Sequence, residues 1–505
     1  MLTNPNSSSI SYFLLAIFFA TRLLFILYPF WGLEYEDSYI FTDSARYMSY
    51  DYDFHTMPYR CNSCLDGSYT DCYSYGTLGG HYLTFPILVH VLNVIKGYST
   101  DNAFLVNFSV SLSIIFFVYF WNRTNITKSS ISINIVLLLL SVTPFVPIFN
   151  TSGLAETLSS AFVLFSVLSL SRANDKNFNI ASTEFYLSII FIVMAIVTKR
   201  ENLVLLAFLV FIPILRRLHG KSMLPKGYII LSFICSVAVS GFVIYTDLFG
   251  IEFDETGDIG ASTFSLAYFI DNSYQLLQAA LNFEYWGITG YLFLITLFVS
   301  IYKKNFKQLE TFCLIVIAMY VGIYASHYRS YYQVIHQISH PFETLRYSTN
   351  YIPLVVVFIA SVYHNRLRIS TSNVLIKYGV LILIFGVLMH NTIQTRLLFS
   401  EDEFRSRIEP VYETLASMEP NDIVISTTPV IFRCFAHQTQ RIVDLFQLSQ
   451  RRLDEMRRLN QTSHIYLLTS TDMALDIDRY GLDIELADFK PISTINNKFI
   501  ISKLP

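Results

Sequence analysis

The chain of 505 residues is 53% hydrophobic and only 14% charged, against about 25% charged in ordinary globular chains. That is too little charge to coat the several soluble domains its length would otherwise suggest. A net charge of −3 and the lack of a long basic run exclude the usual kind of nucleic-acid partner. Mean hydropathy of +0.45, with 34 Tyr and 43 Phe, describes instead a polytopic membrane protein with aromatic residues to spare for the membrane interfaces.

In chain order, the first apolar run, Ser11 to Trp31, reaches the roughly 20 residues a bilayer needs. It lacks the small-residue cleavage site of a secretory signal and is expected to be a retained span. Further spans are expected near 101–120, 131–148, 154–171, 183–198, 203–216, 228–246, 287–302, 311–326, 350–364 and 376–393. The total is about eleven transmembrane helices. A shorter apolar stretch from Tyr82 to Ile95, broken by Pro86 and His90, is expected to lie in the interface or dip back into the bundle. Counting it as a span would put the later basic loops outside.

Loop charge orients the bundle. Alternate loops carry Arg123 and Lys128; Arg172 and Lys176; Arg216, Arg217, Lys221 and Lys226; Lys303, Lys304 and Lys307; and Arg366, Arg368 and Lys377. By the positive-inside rule these are cytoplasmic. The N-terminus is then cytoplasmic, and the first external loop, 32–100, lies on the opposite side with the acidic stretch Asp247 to Glu284, the segment His327 to Thr349 and the tail. About 28 of the 35 basic and 38 acidic side chains fall between Ser400 and Pro505. Residues 1–399 are therefore expected to form the membrane domain and 400–505 a small extracytoplasmic α/β domain. Its strands are expected at Ile423–Ile425, Ile465–Leu468 and Phe499–Ile501, and its helices at Glu401–Met418 and Asp444–Asn460.

Polar groups at the external membrane edge are the candidates for chemistry. The first loop opens with Glu34, Glu36, Asp37 and Asp43 directly after a span. A base that deprotonates a hydroxyl acceptor must be a carboxylate or histidine held at the membrane surface, and Asp37 or Glu36 fits, although an ordinary hydrated loop has the same composition. Glu156 begins a span, where an acid is costly without a partner or a task. Lys199-Arg200-Glu201 tips a tight hairpin, and Arg346-Tyr347 precedes the tenth span. Cations there suit a phosphate at headgroup level, or else snorkel as helix-end charges. Arg22, inside the first span, is expected to pair internally. Cys61, Cys64 and Cys72, with His55 and His81 nearby, do not complete a four-ligand zinc pattern, and an oxidising exterior favours one disulfide among them.

The order of these parts resembles the GT-C superfamily, polytopic glycosyltransferases with polyprenyl-phosphate sugar donors such as protein O-mannosyltransferases and aminoarabinose transferases. The resemblance rests on Arg22-Leu23-Leu24, Glu36-Asp37-Ser38-Tyr39 with Ala45-Arg46, the stretch from Gly80-His81 to Gly97, Ser152-Gly153-Leu154-Ala155-Glu156-Thr157, the Lys199-Arg200-Glu201 tip, Arg346-Tyr347 with Tyr351-Ile352-Pro353, and the external tail. It implies sugar transfer from a lipid-phosphate donor to a hydroxyl of a protein, lipid or polysaccharide acceptor. Asp37, with Glu36 as neighbour, would be the base. Lys199, Arg200 and Arg346 would hold the donor phosphate, with Glu156, Tyr347 and His81 in the substrate site. No cofactor or metal is implied. The cysteine-rich insertion from Tyr59 to Tyr73 and the lack of Pro-Pro between His81 and Pro86 depart from the pattern and leave the acceptor open. A transporter or flippase of lipid-linked sugars is the alternative; it would favour a half-and-half repeat and ionisable residues near helix centres. A structural subunit of a cell-envelope complex is a third.

Overall fold

A computed structural model of the protein describes residues 5–27, 84–123, 131–179, 181–218, 226–248, 265–303, 306–327 and 347–366. It also describes short pieces of the first loop (41–42, 45, 59–60 and 73–74), Gly386, Leu415, residues 453–454, and the strands of the tail with their immediate flanks. The helices are α1 (Pro5–Leu27), α2 (Thr84–Lys96), α3 (Asn102–Arg123), α4 (Ile133–Val142), α5 (Phe145–Phe149), α6 (Glu156–Asp175), α7 (Thr183–Ile196), α8 (Val204–Leu218), α9 (Lys226–Leu248), α10 (Phe269–Leu281), α11 (Ile288–Tyr302), α12 (Gln308–Ala325) and α13 (Ile352–Arg366). Among the described residues, α3 and α12 are long and apolar enough to cross a membrane by length and composition, and several of the others are apolar but shorter. The run expected at 376–393 lies, apart from Gly386, outside the described residues.

Two differences from the expected elements have simple causes. The span expected at 131–148 is broken, because Pro144 lacks the amide that would continue α4, and the chain restarts as α5. A further helix, α10, rises within the acidic stretch read as a loop.

The core is built on α6 and α13, whose side chains are buried around almost the whole circumference. Among the buried positions of α6 are five small hydroxyl residues, Ser159, Ser160, Ser166, Ser169 and Ser171. Small residues let neighbouring helices approach closely, and Ser160 and Ser166 spend their hydroxyls on the carbonyls of Thr157 and Val163 three residues back. Helix α7 packs along α6, and α12 packs against both α8 and α13.

Cations sort to one end of this bundle. There Arg216 donates to the Asn174 carbonyl and to Asn177, Lys176 pairs with Glu184 at 2.7 Å, and Gln308 reaches the Ser171 carbonyl. At the same end Glu310 is fully buried and accepts from Arg366, from Ser361 and from the backbone amide of Lys307. The opposite ends of α6, α7, α8 and α12 meet around Glu156 and the 197–203 turn.

The tail contains a five-stranded mixed sheet of β3 (Ile423–Ser426), β4 (Arg441–Asp444), β5 (Ile465–Ser470), β6 (Lys490–Ile495) and β7 (Phe499–Lys503) in the order β4-β3-β5-β7-β6. Strand β3 pairs in parallel with β4 and β5, and β7 runs antiparallel to β5 and β6. Ile423, Ile425, Ile465 and Leu467 form its core with Leu445, Leu453, Phe489 and Leu504. In the first loop Tyr59–Arg60 (β1) pairs antiparallel with Tyr73–Ser74 (β2).

Removing one member of a buried ion pair strands the other, at a cost of about 3–5 kcal/mol. Glu310→Ala should therefore lower the apparent melting temperature of the detergent-solubilised protein sharply. The double variant Glu310→Ala/Arg366→Met should recover part of that loss in a double-mutant cycle.

Candidate functional site

Glu156 opens α6, fully buried, at the end of a turn held by side chains of neighbouring helices. The turn runs from Asn150 to Ala155. Asn107 of α3 donates its amide to the carbonyls of Ser152 and Leu154, both at 2.6 Å. Arg22 of α1 donates to the Asn150 side chain at 2.7 Å and to the Leu140 carbonyl at 3.0 Å, while its guanidinium lies 3.5 Å from the centre of the Phe18 ring. Thr157 closes the turn by donating to the Phe149 carbonyl. The expected internal pairing of Arg22 is thus met by neutral oxygens and an aromatic face.

Opposite Glu156 stands the tip between α7 and α8, where residues Arg200–Leu203 form a 3₁₀ turn. Lys199 places its ammonium 3.1 Å from Glu156 Oε1 and 3.7 Å from Glu201 Oε1. Asn202, fully buried, fixes the tip: its amide donates to the Ala195 carbonyl at 2.6 Å and to Ser159 Oγ at 3.0 Å, and its oxygen accepts from the Tyr320 hydroxyl. One side chain therefore ties α6, α7 and α12 to the turn that carries Lys199. Helix α2 joins the same place, since Thr84 donates to the Val197 carbonyl at 2.7 Å.

From Tyr320 a ladder of rings continues along this end of the bundle. Tyr320 stacks on Tyr351 and Tyr324, and Tyr324 stacks on Tyr347 with ring centres 4.8 Å apart. His327 lies against Tyr347, and Asn350 donates to the Tyr324 hydroxyl. The first loop reaches the same region. Phe41 meets Phe85 edge to face at 5.5 Å, and with Ala45 it belongs to a buried cluster with Phe85, Val89, Ala103, Val106, Ala155 and Leu158. Ala155 flanks Glu156 directly. Burial on α2 pushes the His90 imidazole below the usual histidine range, which favours its neutral form.

Of the residues singled out in the sequence, Glu156, Lys199 and Tyr347 stand on this one end. Glu36, Asp37, His81 and Arg346 lie outside the described residues, as do Cys61, Cys64 and Cys72. Arg200 is described through its backbone alone. Among the described residues no group of three or more His, Cys, Asp or Glu side chains is arranged to hold a metal. Asn202, Tyr320, Tyr324 and Asn350 were not legible as site residues. The only signal for the tyrosines is their spacing, as positions 320 and 324 share a helix face.

The fold is shared with solved structures of two membrane proteins. It aligns with ArnT from Cupriavidus metallidurans, solved with undecaprenyl phosphate bound, at a TM-score of 0.59 and 11% identity, over 97% of this chain and 98% of that one. It also aligns with the oligosaccharyltransferase AglB from Archaeoglobus fulgidus, solved with an inhibitory peptide and a dolichol-phosphate, at a TM-score of 0.50 and 11% identity, over 92% of this chain and 70% of that one. At such identities the likeness is one of fold. No protein-family model matches the sequence, and no curated protein matches it.

Removing the Tyr320 hydroxyl with Tyr320→Phe should cost about 1 kcal/mol of stability, the usual net worth of one hydrogen bond. Asn202→Leu takes the partner from Ser159 and Tyr320, while the Ala195 carbonyl keeps the amides of Thr198 and Lys199, and should cost about 1–3 kcal/mol for each group left unsatisfied. Thermal unfolding of the purified protein in detergent, compared across both variants, checks the order.

Proposed function

We propose that the protein transfers a sugar from a polyprenyl-phosphate donor to a hydroxyl acceptor at the extracytoplasmic face of the membrane. The observation that carries this is the meeting of three chain segments at one end of a GT-C bundle: the Lys199 turn, the Glu156 turn, and the first loop at Phe41 and Ala45. In this reading about eleven spans occupy residues 1–399, the N-terminus is cytoplasmic, and residues 400–505 form an extracytoplasmic α/β domain. The cation-rich end at Glu310 and Arg366 faces the cytoplasm, in keeping with the positive-inside rule.

Chain geometry supports the assignments on the first loop. Asp37 stands four residues before Phe41, so its backbone is within about 14 Å of a residue packed beside the Glu156 turn. Arg346 directly precedes Tyr347, which stacks on Tyr324 and so stands one ring away from Tyr320 and Asn202. The two carboxylates around Lys199 outweigh its charge, and Arg200 restores the hairpin tip to neutrality. Arg346 then supplies the net positive charge for a phosphodiester.

The chemistry assigns each group a task. The acceptor oxygen attacks the anomeric carbon, its proton passes to the Asp37 carboxylate, and the bond from that carbon to the phosphate oxygen breaks with the electron pair leaving on polyprenyl phosphate. Arg200 and Arg346 stabilise the extra negative charge that develops on the departing phosphate. Glu156 holds the Lys199 ammonium in place, so that this cation meets the donor without reorganising. Glu36 flanks the base, and His81 and Tyr347 line the substrate. The polyprenyl-phosphate sugar is itself the donor, and no further cofactor enters.

Purified protein given radiolabelled polyprenyl-phosphate sugars in liposomes should transfer label to a hydroxyl acceptor; movement of the donor between leaflets without transfer would overturn the assignment. Asp37→Asn should lower turnover about 10²- to 10⁴-fold with donor binding intact, the usual range for a general base. Arg200→Ala should raise the donor KM, with a loss of about 1.5–3 kcal/mol in kcat/KM. A membrane-impermeant maleimide should reach a cysteine at Ser470 from outside and one at Ser222 only after permeabilisation.

A further inference from the structure

Helix α10 carries three stripes, each about 60° wide and set roughly 100° apart by the helical repeat. Asn272, Leu276 and Ala279 are buried. Asp271, Gln275 and Gln278 form a polar stripe beside them, in which Asp271 and Gln278 are exposed. On the far side of that polar stripe, Ile270, Tyr274 and Leu277 are 77%, 61% and 50% exposed, and Leu266, in the 3₁₀ turn that leads in, is 84% exposed. A helix between protein and water alone needs two faces. This one has a third that is apolar.

The helix is also fixed firmly to the bundle. Asn272 donates to the carbonyls of Ala325 and His327 at 2.9 and 3.1 Å, satisfying the C-terminal end of α12. Ser265 donates its backbone amide to the Ser326 carbonyl. At the other end Tyr291 of α11 donates its hydroxyl to the Leu281 carbonyl at 2.7 Å. A Cβ at Gly290 would sit 1.8 Å from the Ala280 carbonyl oxygen, so only glycine lets α11 approach this closely. The exposed apolar row is thus held in a set orientation.

That row continues into another. Past the corner at Asn282–Gly287, α11 exposes Ile288, Tyr291, Leu294, Ile295 and Phe298, a face that needs apolar solvent in a multi-pass membrane fold. We infer that α10 is an in-plane helix that rests in the extracytoplasmic interface, with Ile270, Tyr274 and Leu277 among phospholipid acyl chains and Asp271, Gln275 and Gln278 toward water. The Tyr274 ring suits the boundary, with an apolar body and a hydroxyl able to reach headgroup level. Its partner is the bilayer surface, and the inference stands whether or not the chain transfers a sugar.

Photo-crosslinking in nanodiscs of phosphatidylcholine and phosphatidylglycerol tests this. A benzophenone amino acid placed at Ile270, Tyr274 or Leu277 should yield protein whose intact mass is increased by one phospholipid, whereas the same residue at Gln278 should not. Three separate positions on an outward face guard against one variant failing to fold, and elution as the wild type in gel filtration identifies the folded ones. Crosslinks to a second copy of the chain, or no lipid adduct at any folded apolar position, would overturn the inference. Equal lipid adducts at Gln278 would do so as well.

Discussion

A helix that ends within or beside hydrocarbon leaves carbonyls and amides that water cannot reach, and the protein must satisfy them from its own side chains. Asparagine is the residue this bundle uses for that purpose. Asn107 donates to the Ser152 and Leu154 carbonyls, Asn202 to Ala195, Asn272 to Ala325 and His327, Asn122 to Ile131, and Asn102 to Gly97. Each amide carries two N–H groups and one oxygen, enough to close a turn and hold a neighbour at once. The candidate site depends on two of these clamps. Asn107 stabilises the turn that begins at Asn150 and delivers Glu156, and Asn202 stabilises the one that delivers Lys199, so the ion pair is held from behind on both sides.

The helices were legible because their apolar runs are long and bounded by charge. Those at 102–123, 156–175, 183–196 and 308–325 fall within a few residues of the expected spans. Helix α10 was not, since Asp271, Asn272, Ser273, Gln275 and Gln278 dilute its apolar stripe below what a run of hydrophobic residues can reveal. In the tail, β3, β5 and β7 are β-branched runs and were visible. Strand β4 opens with Arg441 and ends with Asp444, and β6 contains Pro491, so neither stands out from a loop.

The site divides in a similar way. Glu156 was legible as an acid where an acid is expensive, and Lys199 as a cation at a hairpin tip. Their pairing was not, because 43 residues separate them. Asn202, Tyr320, Tyr324 and Asn350 escaped for a different reason: an uncharged polar residue in an apolar sequence shows its role only through the groups packed around it. The 11% identity to the structures sharing this fold shows how little residue identity the helix frame demands once the termini of its helices are satisfied.

The arrangement around Arg22 also bears on how the chain is made. Its partners Leu140 and Asn150 follow it by 118 and 128 residues. At a synthesis rate of 5–20 residues per second, roughly 6–25 seconds separate the emergence of the first helix from that of the oxygens it needs. A bare arginine at the centre of a span costs about 2.5–3.5 kcal/mol on insertion scales. Arg22 is not bare before then, since the Phe18 carbonyl and the Thr21 hydroxyl lie in its own helix, and the Leu140 and Asn150 oxygens complete the set.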